Sequence, residues 1–369
     1  MENKMSENKS KVVLTKHTAR STEDYMQRCL FLARQGEGHV APNPMVGALI
    51  VYNNEIIGEG YHHKYGQAHA EPNAINSVKN QELLQQSTLY VNLEPCSHYG
   101  KTPPCANLIV SCGIKRVVIG TLDPNPKVSG RGIKILQAAG IEVVVGVLEN
   151  ECRELNKRFF TFQLEKRPYV LLKWAQTRDG FIDIARKDNT EMPLQISNTM
   201  TRQLTHKMRS ENQSIMVSTN TVLLDNPTLT VRNWAGRNPI RIAIDRTLKV
   251  PGHYNILDGK VQTILFTETK NNSQPNVEYI KINFDENSLQ SILNELFKRN
   301  ISSVLVEGGA QLLQNFINEG LWDEANIEVS EQMINEGVAA PVINRQPYKT
   351  ATFHRHLWMN YLNNNKKFV

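Results

Sequence analysis

The sequence predicts an α/β protein of two domains, and three observations carry this prediction. Its 369 residues exceed what one hydrophobic core usually organises. Apolar segments of strand length alternate with segments of helical periodicity along most of the chain. The alternation restarts after Arg167-Pro168, which indicates a domain boundary. We therefore expect a first domain over 21–166 and a second over 167–369, preceded by a disordered basic tail over 1–20.

The first domain begins with a helix and a hairpin. Ser21-x-x-Asp24 is a helix-start signal. Asn53-Asn54 suits a tight turn between a strand over 46–51 and another around 56–57. The segments that follow are helix 69–78, strand 89–93, helix 106–112, strand 117–120, helix 133–139, strand 143–147 and a charged connecting helix over 149–166. This order describes a three-layer α/β domain whose later strands are mostly parallel.

The second domain shows the same alternation with its own set of segments. The predicted strands are 169–174, 214–218, 240–244, 262–267, 277–282, 302–306 and 325–329, and the predicted helices are 198–210, 288–298 and 310–318. Such an order is typical of a second α/β unit with its own core. We find no internal repeat that relates the two halves.

Composition describes a globular protein of the cytoplasm. The net charge is +6, but much of the excess lies at the two ends, which favours solvated tails over a nucleic-acid surface. Residues 1–20 are polar and resemble neither a secretory signal nor a membrane span. Five cysteines are too few and too scattered for a disulfide framework. We therefore expect no membrane or nucleic-acid partner.

The most informative motif is His69-Ala70-Glu71, followed by Pro95-Cys96 and Pro104-Cys105. One histidine and two cysteines are soft ligands, and three protein ligands leave a tetrahedral zinc ion one open position, as in catalytic sites. Zinc nucleobase deaminases share the pattern His-x-Glu followed by Pro-Cys-x-x-Cys. This chain departs from it once, since eight residues separate its cysteines. Each residue alone suits a capping or core position, but the combination predicts a Zn²⁺ site.

The chemistry of such a site is hydrolytic deamination. Zinc lowers the pKa of bound water to about 7, so hydroxide becomes available to attack a ring carbon that bears an amine. Glu71 would carry the proton from water to the ring nitrogen and the leaving ammonia. The insert between the cysteines brings Lys101 beside the metal, where it suits an anionic phosphate or a carbonyl oxygen. We expect His62 and His63 to be surface histidines.

The second domain contains signals for phosphate binding. A strand over 303–306 runs into Glu307-Gly308-Gly309 and a helix, and glycines there let backbone N–H groups approach a phosphate. The dinucleotide fingerprint G-x-G-x-x-G does not occur in this half of the sequence. Arg209 and Arg232 suit a substrate phosphate, although spacing alone equally allows surface arginines.

Four motifs together resemble the bifunctional deaminase–reductase family of riboflavin biosynthesis. They are Pro42-Asn43-Pro44-x-Val46-Gly47, His69-Ala70-Glu71, the block from Leu93 to Cys105, and Asp123-Pro124-Asn125-Pro126. The resemblance implies a cytidine-deaminase-like three-layer α/β/α domain and then a dihydrofolate-reductase-like α/β domain. It implies deamination of 2,5-diamino-6-(5-phosphoribosylamino)pyrimidin-4(3H)-one. NADPH reduction of the ribosyl group of 5-amino-6-(5-phosphoribosylamino)uracil to ribityl would follow.

The resemblance also implies the role of individual residues. In the first domain, His69, Cys96 and Cys105 would bind Zn²⁺, Glu71 would be the proton shuttle, and Asn43, Lys101, Asp123 and Asn125 would contact the substrate. In the second domain, Gln176, Gln195, Thr221, Asp225, Gly308 and Gly309 would contact NADPH, and Lys173, Ser197, Arg209, Leu229, Arg232 and Glu307 would contact the ribosyl phosphate. Reductases of this kind often pair through an edge strand, so we expect a homo-oligomer.

Two other functions compete with this interpretation. A nucleic-acid deaminase would act on a flipped base and use the positive charge as its footprint. A structural zinc or interaction module would need no glutamate beside the metal. The Lys101-Thr102-Pro103-Pro104 insert and the second α/β unit argue against the first, and Glu71 discriminates against the second.

Overall fold

Two β-sheets organise the chain, each with helices on both faces. The computed structural model describes residues 20–97, 103–125, 128–269 and 271–363. The predicted tail over 1–20 lies outside these ranges apart from Arg20, as does the predicted substrate contact Lys101. Within the described ranges, no helix combines the length and the apolar character that a membrane crossing requires.

The first sheet has five strands in the order β2-β1-β3-β4-β5. Strand β1 (Gly47–Tyr52) pairs antiparallel with β2 (Glu55–Tyr61) and with β3 (Thr88–Leu93). Strands β4 (Arg116–Thr121) and β5 (Glu142–Val145) continue the sheet parallel to β3. The prediction of a hairpin followed by a parallel half is therefore confirmed.

Helices cover both faces of this sheet. They are α1 (Thr22–Arg34), α2 (Ala70–Ser77), α3 (Cys105–Ser111), α4 (Arg131–Ala138), α5 (Glu149–Leu155) and α6 (Lys157–Glu165). Helices α2, α3 and α4 share one apolar core with inward residues of β1, β3 and β4, whereas α1 and α5 pack on the opposite face. Successive strand residues point to opposite faces, so each strand serves both cores. This is the predicted three-layer arrangement.

The prediction of one connecting helix over 149–166 is wrong, because the helix breaks at Asn156. This residue has φ −103° and ψ 20°, and it separates α5 from α6. Its buried side-chain amide accepts a hydrogen bond from the N–H of Met45 at 2.8 Å and donates to the Met45 carbonyl at 2.9 Å. These contacts tie the linker to the loop that carries Asn43.

The second sheet has nine strands in the order β11-β10-β9-β8-β12-β6-β13-β16-β15. Their bounds are β6 (Tyr169–Gln176), β8 (Ser214–Ser218), β9 (Ile240–Ile244), β10 (Thr263–Thr267), β11 (Val277–Lys281), β12 (Ser303–Val306), β13 (Glu324–Val329), β15 (Lys349–Phe353) and β16 (His356–Leu362). The strands from β11 to β13 are parallel, and β16 and β15 are antiparallel additions. Strand β7 (Phe181–Asp183) pairs separately with β14 (Val338–Ala339).

Four helices accompany the second sheet: α7 (Thr199–Glu211), α8 (Thr219–Asp225), α9 (Ser288–Lys298) and α10 (Ala310–Asn318). The larger core lies between the sheet and helices α9 and α10. Every strand and helix predicted over 169–329 is present, with bounds that agree within two residues. Helix α8 and the hairpin of β15 and β16 had no counterpart in the sequence analysis.

Candidate functional site

Three soft side chains converge beside the first sheet. His69 is the residue before α2, Cys105 opens α3, and Cys96 lies in the loop after β3. The Nδ1 atom of His69 lies 3.6 Å from Cys96 Sγ and 3.4 Å from Cys105 Sγ. Their ligand atoms all lie within 4.8 Å of one another. One nitrogen and two sulfurs at this spacing form a donor set that fits a zinc ion with an open position.

Both cysteines lie beside the start of one helix, α3. Cys105 is its first residue, and its backbone N–H donates to Cys96 Sγ at 3.3 Å. The neighbouring Cys105 thiol lowers the pKa of Cys96 well below the ordinary value, and the same contact and burial raise the pKa of Cys105. The thiolate is the form that binds metal, so Cys96 is prepared as a ligand.

Glu71 lies in the first turn of α2 and is 3% exposed. Burial, followed by the nearby charge of Cys96, raises its pKa to about 7. A carboxyl group with this pKa exchanges a proton readily at neutral pH, as general acid–base catalysis requires. It lines a cavity of about 320 Å³ together with His69 and Cys96.

Three of the four predicted substrate contacts also line this cavity, namely Asn43, Asp123 and Asn125. Burial raises the pKa of Asp123 to about 6. His62 is 2% exposed, so the expectation of a surface histidine is wrong for this residue. Its Nδ1 lies 2.9 Å from the Ala68 carbonyl, and its Nε2 lies 3.2 Å from Asn43 Nδ2. With Nδ1 as the donor, Nε2 accepts from Asn43, whose side-chain oxygen then remains for a ligand.

The sequence analysis assigned no role to Glu94, which organises the other side of the cavity. Its buried carboxylate accepts hydrogen bonds from the backbone N–H groups of Asp123, Gly130 and Gly132 at 3.3, 3.0 and 3.1 Å. A Cβ atom at Gly132 would lie 2.2 Å from the Pro95 carbonyl oxygen, so only glycine permits this approach. Glu94 thus holds the loop of Asp123 against the loop of the cysteines.

The smaller cavity is completed by residues far along the chain. Phe159, Phe162 and Gln163 of α6 line it, together with Asn300 from the turn after α9. The Phe162 ring lies 4.7 Å from the ring of Phe297 on α9, which brings this turn to the cavity. Among the described lining residues there is no lysine or arginine.

A second cavity of about 1100 Å³ lies beside the second sheet. Ten of the predicted residues line it: Lys173, Gln195, Ser197, Arg209, Thr221, Asp225, Arg232, Glu307, Gly308 and Gly309. Two predicted contacts have their side chains elsewhere. Gln176 accepts a hydrogen bond from Trp174, and Leu229 is packed in the core beneath α8. Their roles stay predictions.

Ion pairs dominate the floor of the larger cavity. Arg209 Nε and Nη2 donate to the two oxygens of Glu307 at 2.8 and 2.6 Å, which is a bidentate pair. Burial alone would raise the pKa of Glu307, but Arg209 and then Lys173 lower it below the ordinary value. Lys173 is itself buried, and this desolvation lowers its pKa. The array places largely buried charges of both signs along the wall of the larger cavity.

The Gly308–Gly309 turn closes one end of this cavity. Gly309 has φ +78°, and a Cβ there would lie 2.4 Å from Ser218 Oγ. The backbone of the turn therefore approaches the start of α8, where Thr221 Oγ1 lies 3.2 Å from Ser218 Oγ. Bare backbone and hydroxyl groups beside a strand end suit the phosphates of a dinucleotide.

Two further residues at the cavity escaped the sequence analysis. The Arg186 guanidinium, buried at its side chain, pairs with both Asp183 and the predicted contact Asp225. His206 Nδ1 accepts a hydrogen bond from the backbone N–H of Arg232 at 3.0 Å. Burial and the charge of Arg209 lower the pKa of His206 to about 4, so the ring stays neutral as an acceptor.

Known proteins resemble the chain over both of these regions. Residues 19–121 match the cytidine and deoxycytidylate deaminase zinc-binding region, and residues 168–332 match the RibD C-terminal domain. The riboflavin biosynthesis protein RibD of Aquifex aeolicus is 40% identical over 86% of this chain and 89% of that protein. The chain belongs to the RibD family. RibD of Escherichia coli is 35% identical over 85% of this chain and 88% of its own length.

Solved RibD structures share the fold across both sheets. A diaminohydroxyphosphoribosylaminopyrimidine deaminase/5-amino-6-(5-phosphoribosylamino)uracil reductase from Thermotoga maritima has a TM-score of 0.83 and 38% identity, over 92% of this chain and 97% of that chain. RibD of Acinetobacter baumannii has a TM-score of 0.82 and 31% identity, over 92% and 98%. The expected fold class is confirmed.

Membership in the RibD family makes this chain a bifunctional riboflavin biosynthesis enzyme with a deaminase domain followed by a reductase domain. The match to the zinc-binding region contains His69, Cys96 and Cys105, which supports Zn²⁺ as the metal. A RibD reductase domain is consistent with a nicotinamide cofactor.

Proposed function

We propose that the chain deaminates 2,5-diamino-6-(5-phosphoribosylamino)pyrimidin-4(3H)-one at the smaller cavity. It would then reduce 5-amino-6-(5-phosphoribosylamino)uracil with NADPH at the larger one. The observation that carries the first step is a buried Glu71 with a pKa of about 7 beside three soft ligands within 4.8 Å. The relatives named above support the choice of pyrimidine.

Each residue of the smaller cavity has a distinct task in the proposed deamination. When bound by His69, Cys96 and Cys105, Zn²⁺ supplies the Lewis acidity that activates water. Glu71 accepts the proton from this water and delivers protons to the ring nitrogen and the departing ammonia. Asn43 presents its side-chain oxygen to the pyrimidine, in the orientation that His62 sets.

The larger cavity binds and orients the reductase substrate. NADPH supplies the hydride, so the protein needs no nucleophile of its own. Arg209 is paired with the Glu307 carboxylate, whereas Arg232 at the mouth donates to the uncharged hydroxyls of Thr228 and Thr230, so Arg232 is the principal phosphate ligand. Thr221 and the Gly308–Gly309 turn face the phosphates of the cofactor, and Gln195 and Asp225 complete its contacts. The cytoplasmic location and the homo-oligomer expected from the sequence stay predictions.

The test separates the two reactions in one preparation. The pyrimidine phosphate is incubated with the full chain, with and without NADPH, while ammonia release and NADPH oxidation are followed independently. We expect ammonia without NADPH, and NADPH oxidation that begins only after deamination. A zinc chelator should abolish ammonia release and spare the reduction of added uracil substrate. Ammonia release from an RNA oligonucleotide, with none from the pyrimidine phosphate, would overturn the proposal.

A further inference from the structure

A fully buried carboxylate lies behind the reductase cavity and belongs to none of the residues considered so far. Glu328 lies on β13, is 0% exposed, and sits between strands β6 and β16 in the sheet. Its burial raises its pKa, but the charge of Lys173 and several hydrogen bonds outweigh this and lower it below the ordinary value. A buried charge persists only where its neighbours are arranged to compensate it.

Two of these neighbours line the cavity itself. Ser197 Oγ lies 2.6 Å from Glu328 Oε2, and Lys173 Nζ lies 3.8 Å from the same oxygen. Because an ionised carboxylate only accepts, the Ser197 hydroxyl must give its single proton to Glu328. The lone pairs of Ser197 then remain for a ligand. The Lys173 ammonium can only donate hydrogen bonds. Ser197 and Lys173 therefore present one acceptor and one donor to a ligand in the cavity.

The other oxygen of Glu328 is held by His356, the first residue of β16. His356 Nδ1 lies 2.6 Å from Glu328 Oε1, and the residue is 8% exposed. It lies 24 residues beyond the end of the match to the RibD C-terminal domain, which stops at 332. The charged and titratable groups packed around this cluster are Lys173, Arg209, Glu307, Glu328 and His356, and His206 lies beyond them beside Glu307.

The hairpin of β15 and β16 fixes His356 in this position. Its turn residues His354 and Arg355 both have positive φ, 48° and 67°, as tight hairpin turns require. The His354 carbonyl also accepts a hydrogen bond from Asn198 Nδ2 at 3.1 Å. Asn198 is the residue after Ser197 and caps α7. The hairpin therefore contacts Asn198 directly through the His354 carbonyl and reaches Ser197 indirectly, because His356 and Ser197 both contact Glu328.

We propose that Glu328 and His356 are a positioning pair for the reductase reaction. They orient Ser197 as an acceptor and Lys173 as a donor toward one hydroxyl of the ribosyl group. A hydroxyl both donates and accepts, so it matches this pair. The inference rests on the proposed reductase function and extends it to residues that do not line the cavity.

The test uses three variants of the full chain. His356→Leu removes the donor to Glu328, and His356→Asn keeps a side-chain N–H near the position of Nδ1. His354→Asn is the matched control, because it alters a neighbouring histidine of the same hairpin that contacts Asn198 through its backbone carbonyl. Steady-state NADPH oxidation is measured with the deaminated substrate, and ammonia release is the internal reference.

We expect His356→Leu to raise the KM for the uracil substrate about tenfold or more, as loss of one hydrogen bond to a charge implies. The KM for NADPH and ammonia release should stay unchanged. His356→Asn should bring the KM for the uracil substrate most of the way back to that of the unmodified chain. His354→Asn should leave this KM unchanged. An unchanged KM for the uracil substrate, or an equal rise in both KM values, would overturn the inference. If the unmodified chain itself failed to oxidise NADPH, the proposed function would fall instead.

Glu328→Gln provides a second measurement in case His356→Leu folds poorly. Glutamine has the same shape as glutamate but carries no charge, so it no longer compels Ser197 to donate. We expect kcat/KM for the uracil substrate to fall by about 10- to 100-fold, with ammonia release unchanged. A rate equal to that of the unmodified chain would contradict the positioning role.

Discussion

Glu71 and Glu307 are both buried carboxyl groups at a cavity, yet their pKa values move in opposite directions. The pKa of Glu71 rises to about 7, because burial and the thiolate of Cys96 disfavour its charge. The pKa of Glu307 falls, because Arg209 and Lys173 outweigh the effect of burial. The smaller cavity thus suits proton transfer, whereas the larger cavity holds fixed charges of a kind that suits an anion.

The largest effect is expected from a substitution that removes the proton-transfer group of the smaller cavity. Glu71→Gln keeps the shape of the side chain but removes its proton-accepting oxygen. We expect ammonia release to fall by about 10²- to 10⁴-fold, the usual contribution of general acid–base catalysis. NADPH oxidation with added uracil substrate should continue at the unmodified rate. Zinc content, measured by atomic absorption, is the control, and deamination at the full rate with zinc retained would refute the catalytic role.

A smaller effect is expected from removing one positive charge at the larger cavity. Arg232→Ala removes an exposed guanidinium at the mouth of the larger cavity. A hydrogen bond to a charged group contributes about 1.5–3 kcal/mol, so we expect kcat/KM of the reductase to fall by roughly 10- to 100-fold. Ammonia release should not change. The loss should disappear with a substrate that lacks the phosphate, and a persistent loss would assign Arg232 a different partner.

The smallest expected effect concerns stability in acid. The pKa of His206 is about 4 in the folded chain and about 6.5 when unfolded, so both states are neutral above pH 6.5. As the pH falls from 6.5 toward 4, His206 becomes protonated in the unfolded state but stays neutral in the folded state. The free energy of unfolding therefore decreases. His206→Asn keeps an acceptor for the Arg232 N–H without this titration. Between pH 6.5 and pH 4, the Tm of this variant should fall by about 2–4 °C less than the Tm of the unmodified chain, in calorimetric scans of the full chain. Parallel Tm curves for both chains would exclude His206 as the cause.

The structure brings together the predicted site residues that lie in short motifs. His69 and Glu71 are two residues apart at the start of α2, and both cysteines lie beside the start of α3. Prediction from sequence failed for residues whose role is to hold another residue. Glu94 carries no ligand signal in the sequence, and its three backbone N–H donors, Asp123, Gly130 and Gly132, lie 29, 36 and 38 residues later in the chain.

The sequence by itself determined the alternation of strands and helices, the set of soft side chains and the Gly308–Gly309 turn. These follow from periodicity, side-chain chemistry and backbone freedom, which are local properties. Only the tertiary structure decided which buried charges face each other. Glu328 and His356 are 28 residues apart and meet because β13 and β16 pair antiparallel. The opposite pKa shifts of Glu71 and Glu307 likewise depend on the distance from each carboxyl group to the nearest charge. These distances are set only when the chain folds.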